Sequence, residues 1–303
     1  VREILDAPEP KHWVTNRYKD QMLEKRTPLP HLPDGLRIPL PYPYLAGVIA
    51  VQEQNRGGYP TYFLGEASRY GHWAYFPVLL LVKNPPGLIL LLGVGAVLLA
   101  RTRRLRLETG IFLGTALLFL LLIMRSNLNM GVRHAAPIIP LISVLAARAF
   151  ARAPELLSGD PLLVVRGVGV SGLLSAVLVA PHFLNYYNVL AFGQGSWINV
   201  VGDDWGQDRH AFAQFVKEHD LQPLYYHTQT RTRKLEADFL GIQYREFNCK
   251  RVPPAGAWVA VHVQYVRRFE ASNCAPWMHQ MKPTYKVNDN VWIYKVPESA
   301  SKR

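Results

Sequence analysis

Residues 109–124 read TGIFLGTALLFLLLIM, sixteen consecutive positions without a charged side chain. A helix that is apolar all round must be surrounded by lipid or by a complete protein shell. Working outward decides between the two. Upstream, Pro85–Ala100 (PPGLILLLGVGAVLLA) is equally apolar, and apolar sequence also precedes Lys83. Downstream lie Ala135–Phe150, interrupted by Pro137 and Pro140, and Gly167–Leu184 (GVGVSGLLSAVLVAPHFL). Each run is somewhat shorter than the ~20 residues of an ordinary span. Four of them so close together, with few acidic breaks, favour lipid over the core helices of a soluble protein.

The charge distribution supports this division. From Ala74 to Ile198 only 13 of 125 residues are charged, against 26 of 105 from Asn199 to the end. The fold expected is a polytopic α-helical membrane protein with about four transmembrane helices and a small C-terminal α/β soluble domain. Its parts are an outer-side segment 1–73 of a larger N-terminal region, a transmembrane region 74–198 with spans 85–100, 109–124, 135–150 and 167–184, and an extracytoplasmic domain 199–303. The chain starts at Val1 in a charged, proline-rich stretch without an initiator Met or a signal peptide, so a fragment or processed product is expected.

The net charge of +12 invites a nucleic-acid reading. Seven of those charges come from the apolar middle, with ten Lys/Arg against three Asp/Glu, which assigns them to membrane topology and lipid headgroups instead. Arg101, Arg103, Arg104 and Arg106 follow the first span, and Arg148, Arg152 and Arg166 lie between the third and fourth. Both loops therefore read as cytoplasmic. The chain is then expected in the inner (plasma) membrane, multi-pass, with the N-terminal segment and the C-terminal domain outside.

Five groups break that rule together. Lys83 lies 18 residues before Arg101, about 27 Å along a helix; Arg125 follows the second span, Arg133 and His134 precede the third, and His182 is near the outer end of the fourth. All fall at the outer interface. They are either snorkelling side chains on lipid phosphates or a site for an anionic, lipid-linked substrate. Ahead of Lys83, Tyr70–Val82 (YGHWAYFPVLLLV) reads as an interfacial helix or aromatic belt.

In the last 105 residues, Asp204 with Gln207 three positions later has the form of a capping box opening a helix to about His219, with Phe212, Phe215 and Val216 on one face. Strands are expected over Pro223–His227, Gly241–Phe247, Ala257–Val266 and Val291–Val296. His210 and His219 read as surface residues. The stretch holds no phosphate-binding glycine loop, zinc spacing or nucleophile elbow, so no metal ligand is assigned. Asp203, Asp204 and Asp208 form its acidic cluster, with two readings: capping and solvation of a helix start, or carboxylates that bind a divalent cation, position an acceptor or act as a base. Cys249 and Cys274 are either a disulfide, which an extracytoplasmic location favours, or two thiols.

Three stretches in register resemble the bacterial GT-C glycosyltransferases related to protein O-mannosyltransferases: YFLGEASRYGHWAYFPVLLLVKNPP (62–86), NLNMGVRHAAPIIPLI (127–142), and PHFLNYYNVLAFG followed by VVGDDWGQD (181–193 and 200–208). Lys83-Asn84-Pro85 departs at one position from the Lys-Thr-Pro usual in that family. The resemblance implies a hexosyltransferase, mannosyltransferase-like, that moves a sugar from a polyprenyl-phosphate donor to a protein or glycan acceptor at the outer face by an inverting displacement. It makes Lys83, Arg125, Arg133 and His134 donor-phosphate contacts, with Asp203 and Asp208 as further substrate-binding candidates. The family's catalytic acid lies in its first outer loop, upstream of the matching stretches, and this chain is expected to begin after it. Glu66 and Asp204 are the weak catalytic candidates that remain. A non-catalytic scaffold of the same fold and a transporter of lipid-linked sugars are the competing readings. The second is disfavoured because the charges cluster at one edge rather than at the midplane.

Overall fold

The structure, a computed structural model, describes residues 42–90, 92–93, 107–151, 161–180, 182–228, 231–279, 281–288 and 290–301. It is a mixed helix-and-sheet chain. The expected 1–73 segment before residue 42, residues 91 and 94–100 of the first expected span, and Arg101, Arg103, Arg104, Arg106 and Arg152 lie outside the described residues.

The first half is helical. Helix α1 (Tyr42–Gly57) leads into a hairpin of β1 (Thr61–Phe63) and β2 (Glu66–Ser68), then α2 (Tyr75–Val82). Helix α3 (Leu107–Met124) and α4 (Ile138–Ala151) pack side by side, and α5 is Pro161–Val179. The second and third apolar runs are thus helices close to their expected bounds. The fourth is shifted: α5 begins at Pro161, whose fixed φ suits a first helical position, and ends at Val179, just before the Ala180-Pro181 pair that disfavours helix. Phe183 and Leu184, the last two residues of that expected span, lie in a 3₁₀ turn (Phe183–Asn185) instead.

Among the described residues, no helix is long and apolar enough to cross a membrane. At 1.5 Å per residue, the 18 residues of α3 extend about 27 Å, just under the ~30 Å hydrocarbon core. The apolar faces are nonetheless open: Leu117, Leu118, Leu121 and Leu122 on α3 and Leu173, Val177 and Leu178 on α5 are all at least half exposed. The aromatic stretch divides by burial. Trp73 and Tyr70 are exposed, whereas Tyr75, Phe76, Leu79 and Val82 of α2 are buried against Ala116, Ala135 and Ile138.

The second half is a layered α/β domain. Helix α6 (Arg209–Glu218), β3 (Leu224–Tyr226), α7 (Arg231–Phe239), β4 (Arg245–Glu246), β5 (Trp258–His262), α8 (Val263–Ala271), β6 (Tyr285–Val287) and β7 (Val291–Lys295) follow in order. The sheet order is β4-β3-β5-β7-β6: β3 runs parallel to β4 and β5, β7 is antiparallel to β5, and β6 is antiparallel to β7. The central strand carries Val259, Ala260 and Val261, all with no exposure, as a strand covered on both faces must. Phe212, Ala213 and Val216 of α6 cover one face, and Val266 and Phe269 of α8 cover the other. Cys249 and Cys274 form a disulfide under the second layer.

Two expected strands are corrected. Gly241–Phe247 yields only the two residues of β4, because the chain leaves α7 through a turn at Gly241 with φ +69°. Ala257–Val266 ends as a strand at His262 and continues as α8. The alternation VHVQYV imitates a strand, but Val266 and Phe269 recur at three-residue spacing and face one core, while Val263 packs against Tyr62 and Val200.

Candidate functional site

The site grows from the exit of α2. Asn188 closes that helix: its Nδ2 donates to the carbonyls of Leu81 at 2.6 Å and Asn84 at 2.8 Å, and its backbone N–H donates to Val82 at 2.8 Å. This clamp aims Lys83 inward. Lys83 Nζ donates to Asp203 Oδ1 at 2.5 Å and to the Leu184 carbonyl at 2.9 Å, and lies 4.2 Å from the centre of the Tyr187 ring. Side-chain exposures of 6% for Lys83 and 10% for Asp203 make this a buried ion pair.

A polar network surrounds the pair. The Tyr187 hydroxyl donates to Asp203 Oδ2 at 2.7 Å and lies 2.9 Å from the Asn199 carbonyl. Asn199 Oδ1 accepts from Tyr75 Oη at 2.9 Å, and Tyr75 Oη accepts in turn from the Gly131 N–H at 2.9 Å. Gly131, at φ +97°, crosses the backbone at Gly202, and a Cβ there would stand 3.0 Å from the Val201 carbonyl. Only glycine allows that crossing. Burial pushes the Asp203 carboxyl up, with Lys83 opposing, and burial followed by the Asp203 charge pushes the Tyr187 hydroxyl well above its ordinary value. The three stretches that carry the resemblance therefore meet around one carboxylate.

Neighbouring aspartates point elsewhere. Asp204 Oδ2 lies 2.7 Å from His262 Nδ1, both side chains nearly unexposed, and His262 Nε2 lies 2.6 Å from the Tyr226 hydroxyl. Asp208 accepts from Nδ2 of Asn288 at 2.9 Å and from Nδ2 of Asn290, and its Oδ1 lies 3.5 Å from His182 Nδ1. The capping box is thereby corrected. Helix α6 starts at Arg209 with Asp208 as its N-cap residue, whose side chain makes no capping bond, while Gln207 Nε2 turns back to the Asp203 carbonyl at 2.7 Å. The local pattern survives as a turn ahead of the helix, where Asp204 Oδ1 accepts from the Gly206 N–H and Gln207 Oε1 from the Trp205 N–H, each at 2.8 Å.

The expected site residues divide accordingly. Lys83, Asp203 and Asp208 are buried in bonds to the protein itself, and Asp204 faces His262 at the end of β5. Arg125, at the end of α3, and Arg133, at the turn before α4, are both exposed, and Arg133 stacks 4.4 Å from the Trp205 ring. His134 is half-buried, and burial lowers its pKa. Glu66 is exposed on β2, apart from the network. His210 and His219 are exposed as expected. Among the described residues, no cluster of three or more His, Cys, Asp or Glu is set to hold a metal ion.

The sequence reading missed Tyr75, Tyr187, Asn199, Tyr226 and His262. Asn199, four residues before Asp203 in INVVGDD, sat beside the acidic cluster and was the one open to notice. His262, 58 positions from Asp204, carried no local signal. No protein-family model, curated protein or solved structure matches the chain.

Proposed function

We propose that the chain is part of an integral membrane glycosyltransferase that takes its sugar from a polyprenyl-phosphate donor at the extracytoplasmic face. The observation that carries this reading is the pairing of open leucine faces on α3 with two exposed guanidiniums, Arg125 and Arg133, at one end of the α3–α4 hairpin. A hydrophobic helix surface ending in unburied cations suits a ligand with a long apolar tail and a phosphate head. Helices a few ångströms short of the bilayer are accommodated by local thinning or by flanking anchors. The Cys249–Cys274 disulfide agrees with an oxidising compartment.

In this reading an acceptor oxygen forms the bond to the anomeric carbon while the bond from that carbon to the phosphate oxygen breaks. The electron pair leaves with the polyprenyl phosphate, and Arg125 and Arg133 stabilise the charge it gains. The acceptor's proton goes to a base that no residue described above is placed to be. Lys83 takes a different part from the one expected of it: through Asp203 and Tyr187 it holds together the segments that carry Arg133 and Trp205.

The burial of Asp203, Asp204 and Asp208 favours a second reading, a non-catalytic scaffold on the same helices. The two are separated by transfer from a polyprenyl-phosphate hexose in nanodiscs. Arg125→Ala and Arg133→Ala are each expected to cut transfer at least tenfold, mainly through KM for the donor, because each removes a charge-assisted phosphate contact. Turnover unchanged in both variants removes the donor site, and failure of the unsubstituted protein to bind the polyprenyl-phosphate hexose favours the scaffold.

A further inference from the structure

Between the membrane-proximal segment 185–203 and the β6–β7 hairpin lies a cleft of about 260 Å³ that the reading above does not use. Asn185, Ser196, Val200, Val263, Lys286 and Trp292 line it alongside Tyr187, Asn199 and Asp203 of the network described above, and Gly193 and Gly195 leave part of its wall bare backbone. Its chemistry is unusually restrictive. Asn185 Nδ2 donates to the Asn288 carbonyl at 3.2 Å, but its Oδ1 is buried with no hydrogen-bond partner. An orphaned acceptor costs about 1–3 kcal/mol unless something donates to it. Ser196 Oγ accepts from Arg267 at 3.0 Å, which leaves its own proton to give. Lys286 is exposed at the rim, 4.8 Å from the Trp292 ring, and Arg267 lies 5.2 Å from the same ring.

Each simple ligand class meets an objection. A metal ion would find Asn185 Oδ1 but also Lys286, and the nearby Asp203 carboxylate is already paired with Lys83. A phosphodiester offers no proton to Asn185. A purely apolar group would seal the orphaned acceptor away for good. What remains is a neutral, compact molecule with hydroxyls on its edge and C–H groups on its faces. The volume falls below the usual ~300–1,000 Å³ of pockets for drug-sized ligands, which limits it to about one ring.

We propose that this cleft binds a single pyranose unit. Asn185 Oδ1 accepts from one ring hydroxyl, Ser196 Oγ donates to another, and Val200, Val263 and the edge of Trp292 meet the C–H surface. The sugar belongs either to a soluble or glycan acceptor or to the lipid-linked donor. The site does not depend on the chain being a transferase, since binding is measured without turnover.

The test uses the full chain in nanodiscs. Saturation-transfer NMR with free glucose, mannose and galactose forms one arm, and Trp fluorescence on titration with a polyprenyl-phosphate hexose forms the other. Each is run on the unsubstituted protein, on Asn185→Leu, which keeps the branched side-chain shape, and on Ser196→Val. Either substitution is expected to weaken binding about tenfold, the worth of one hydrogen bond, with circular dichroism and thermal midpoint unchanged. Binding of a free hexose that responds to these variants supports the site and assigns it to an acceptor sugar. Binding of the lipid-linked hexose alone, with the same response, supports it and assigns it to the donor. Should neither sugar bind, or should binding ignore both substitutions in folded protein, the proposal falls. Loss of transfer with hexose binding intact would instead count against the transferase reading alone.

Discussion

Replacing Lys83 by Met removes an ammonium from a nearly dry environment while keeping most of its stem. Side-chain exposures of 6% and 10% class the Lys83–Asp203 pair as buried, and deleting one partner of such a pair costs about 3–5 kcal/mol, because the other charge is stranded. Asp203 has one way to escape: it can take a proton. Burial already holds its carboxyl above the ordinary range, with Lys83 as the leading opposing influence. A folded pKa above the unfolded value of about 3.9 gives a stabilising contribution that is full below that value and is lost as pH rises through the folded one. Without Lys83 the folded pKa moves higher still, and the window extends upward. The deficit of Lys83→Met is therefore expected to be smaller at a mildly acidic pH than at a mildly alkaline one. At roughly 2–4 °C per kcal/mol, the full deficit lowers Tm by about 6–20 °C. Thermal unfolding in nanodiscs, followed by tryptophan fluorescence at both pH values, measures it. The double variant Lys83→Met/Asp203→Leu is expected to recover most of the loss, since no charge is then stranded. A single variant as stable as the unsubstituted protein at both pH values, or a double variant no better than the single, would refute this account of the pair.

Opening the Cys249–Cys274 bridge, whose partners are 25 positions apart, should cost about 3.5 kcal/mol by the loop-entropy relation; the denaturation midpoint of Cys249→Ala/Cys274→Ala against the unsubstituted protein reads it. Gly131→Ala forces a side chain into a glycine-only backbone region against the Val201 carbonyl and is expected to lose about 1–3 kcal/mol, measured by the same unfolding curve. A Cβ at Gly87 would reach the Ser171 hydroxyl on α5, so Gly87→Ala should lower Tm although alanine is the better helix former. Gly87→Ala/Ser171→Ala, which removes the obstructing oxygen, should restore most of it.

How much of this was legible depends on whether a signal is local. The apolar run at 109–124 and the Phe212, Phe215 and Val216 face of α6 follow from periodicity, and both helices appear where expected. The bounds of α5 were misjudged because apolar content was followed past Pro181 instead of being stopped by it. The acidic cluster was found but misassigned. Asp204-Trp-Gly-Gln satisfies a capping pattern in sequence, yet a buried histidine 58 positions away is the stronger partner, and no window of the chain contains both. Lys83 was singled out for being a cation where cations are costly; that its cost is offset within the protein became visible only once Asp203 and Tyr187 were seen beside it.

The six residues from Asp203 to Asp208 fasten three separate parts of the molecule. Asp203 is tied to the end of α2, Asp204 to the last residue of β5, and Asp208 to the β6–β7 hairpin and to His182 just beyond α5. A sheet and a set of helices riveted by so short a segment have little freedom to open separately, so they should exchange their backbone protons as one cooperative unit. Amides in β5 are then sentinels for events on the far side of the loop. A disturbance at α2, whether a substitution or an arriving lipid, should quicken deuterium uptake in Val259–Val261, residues that touch neither.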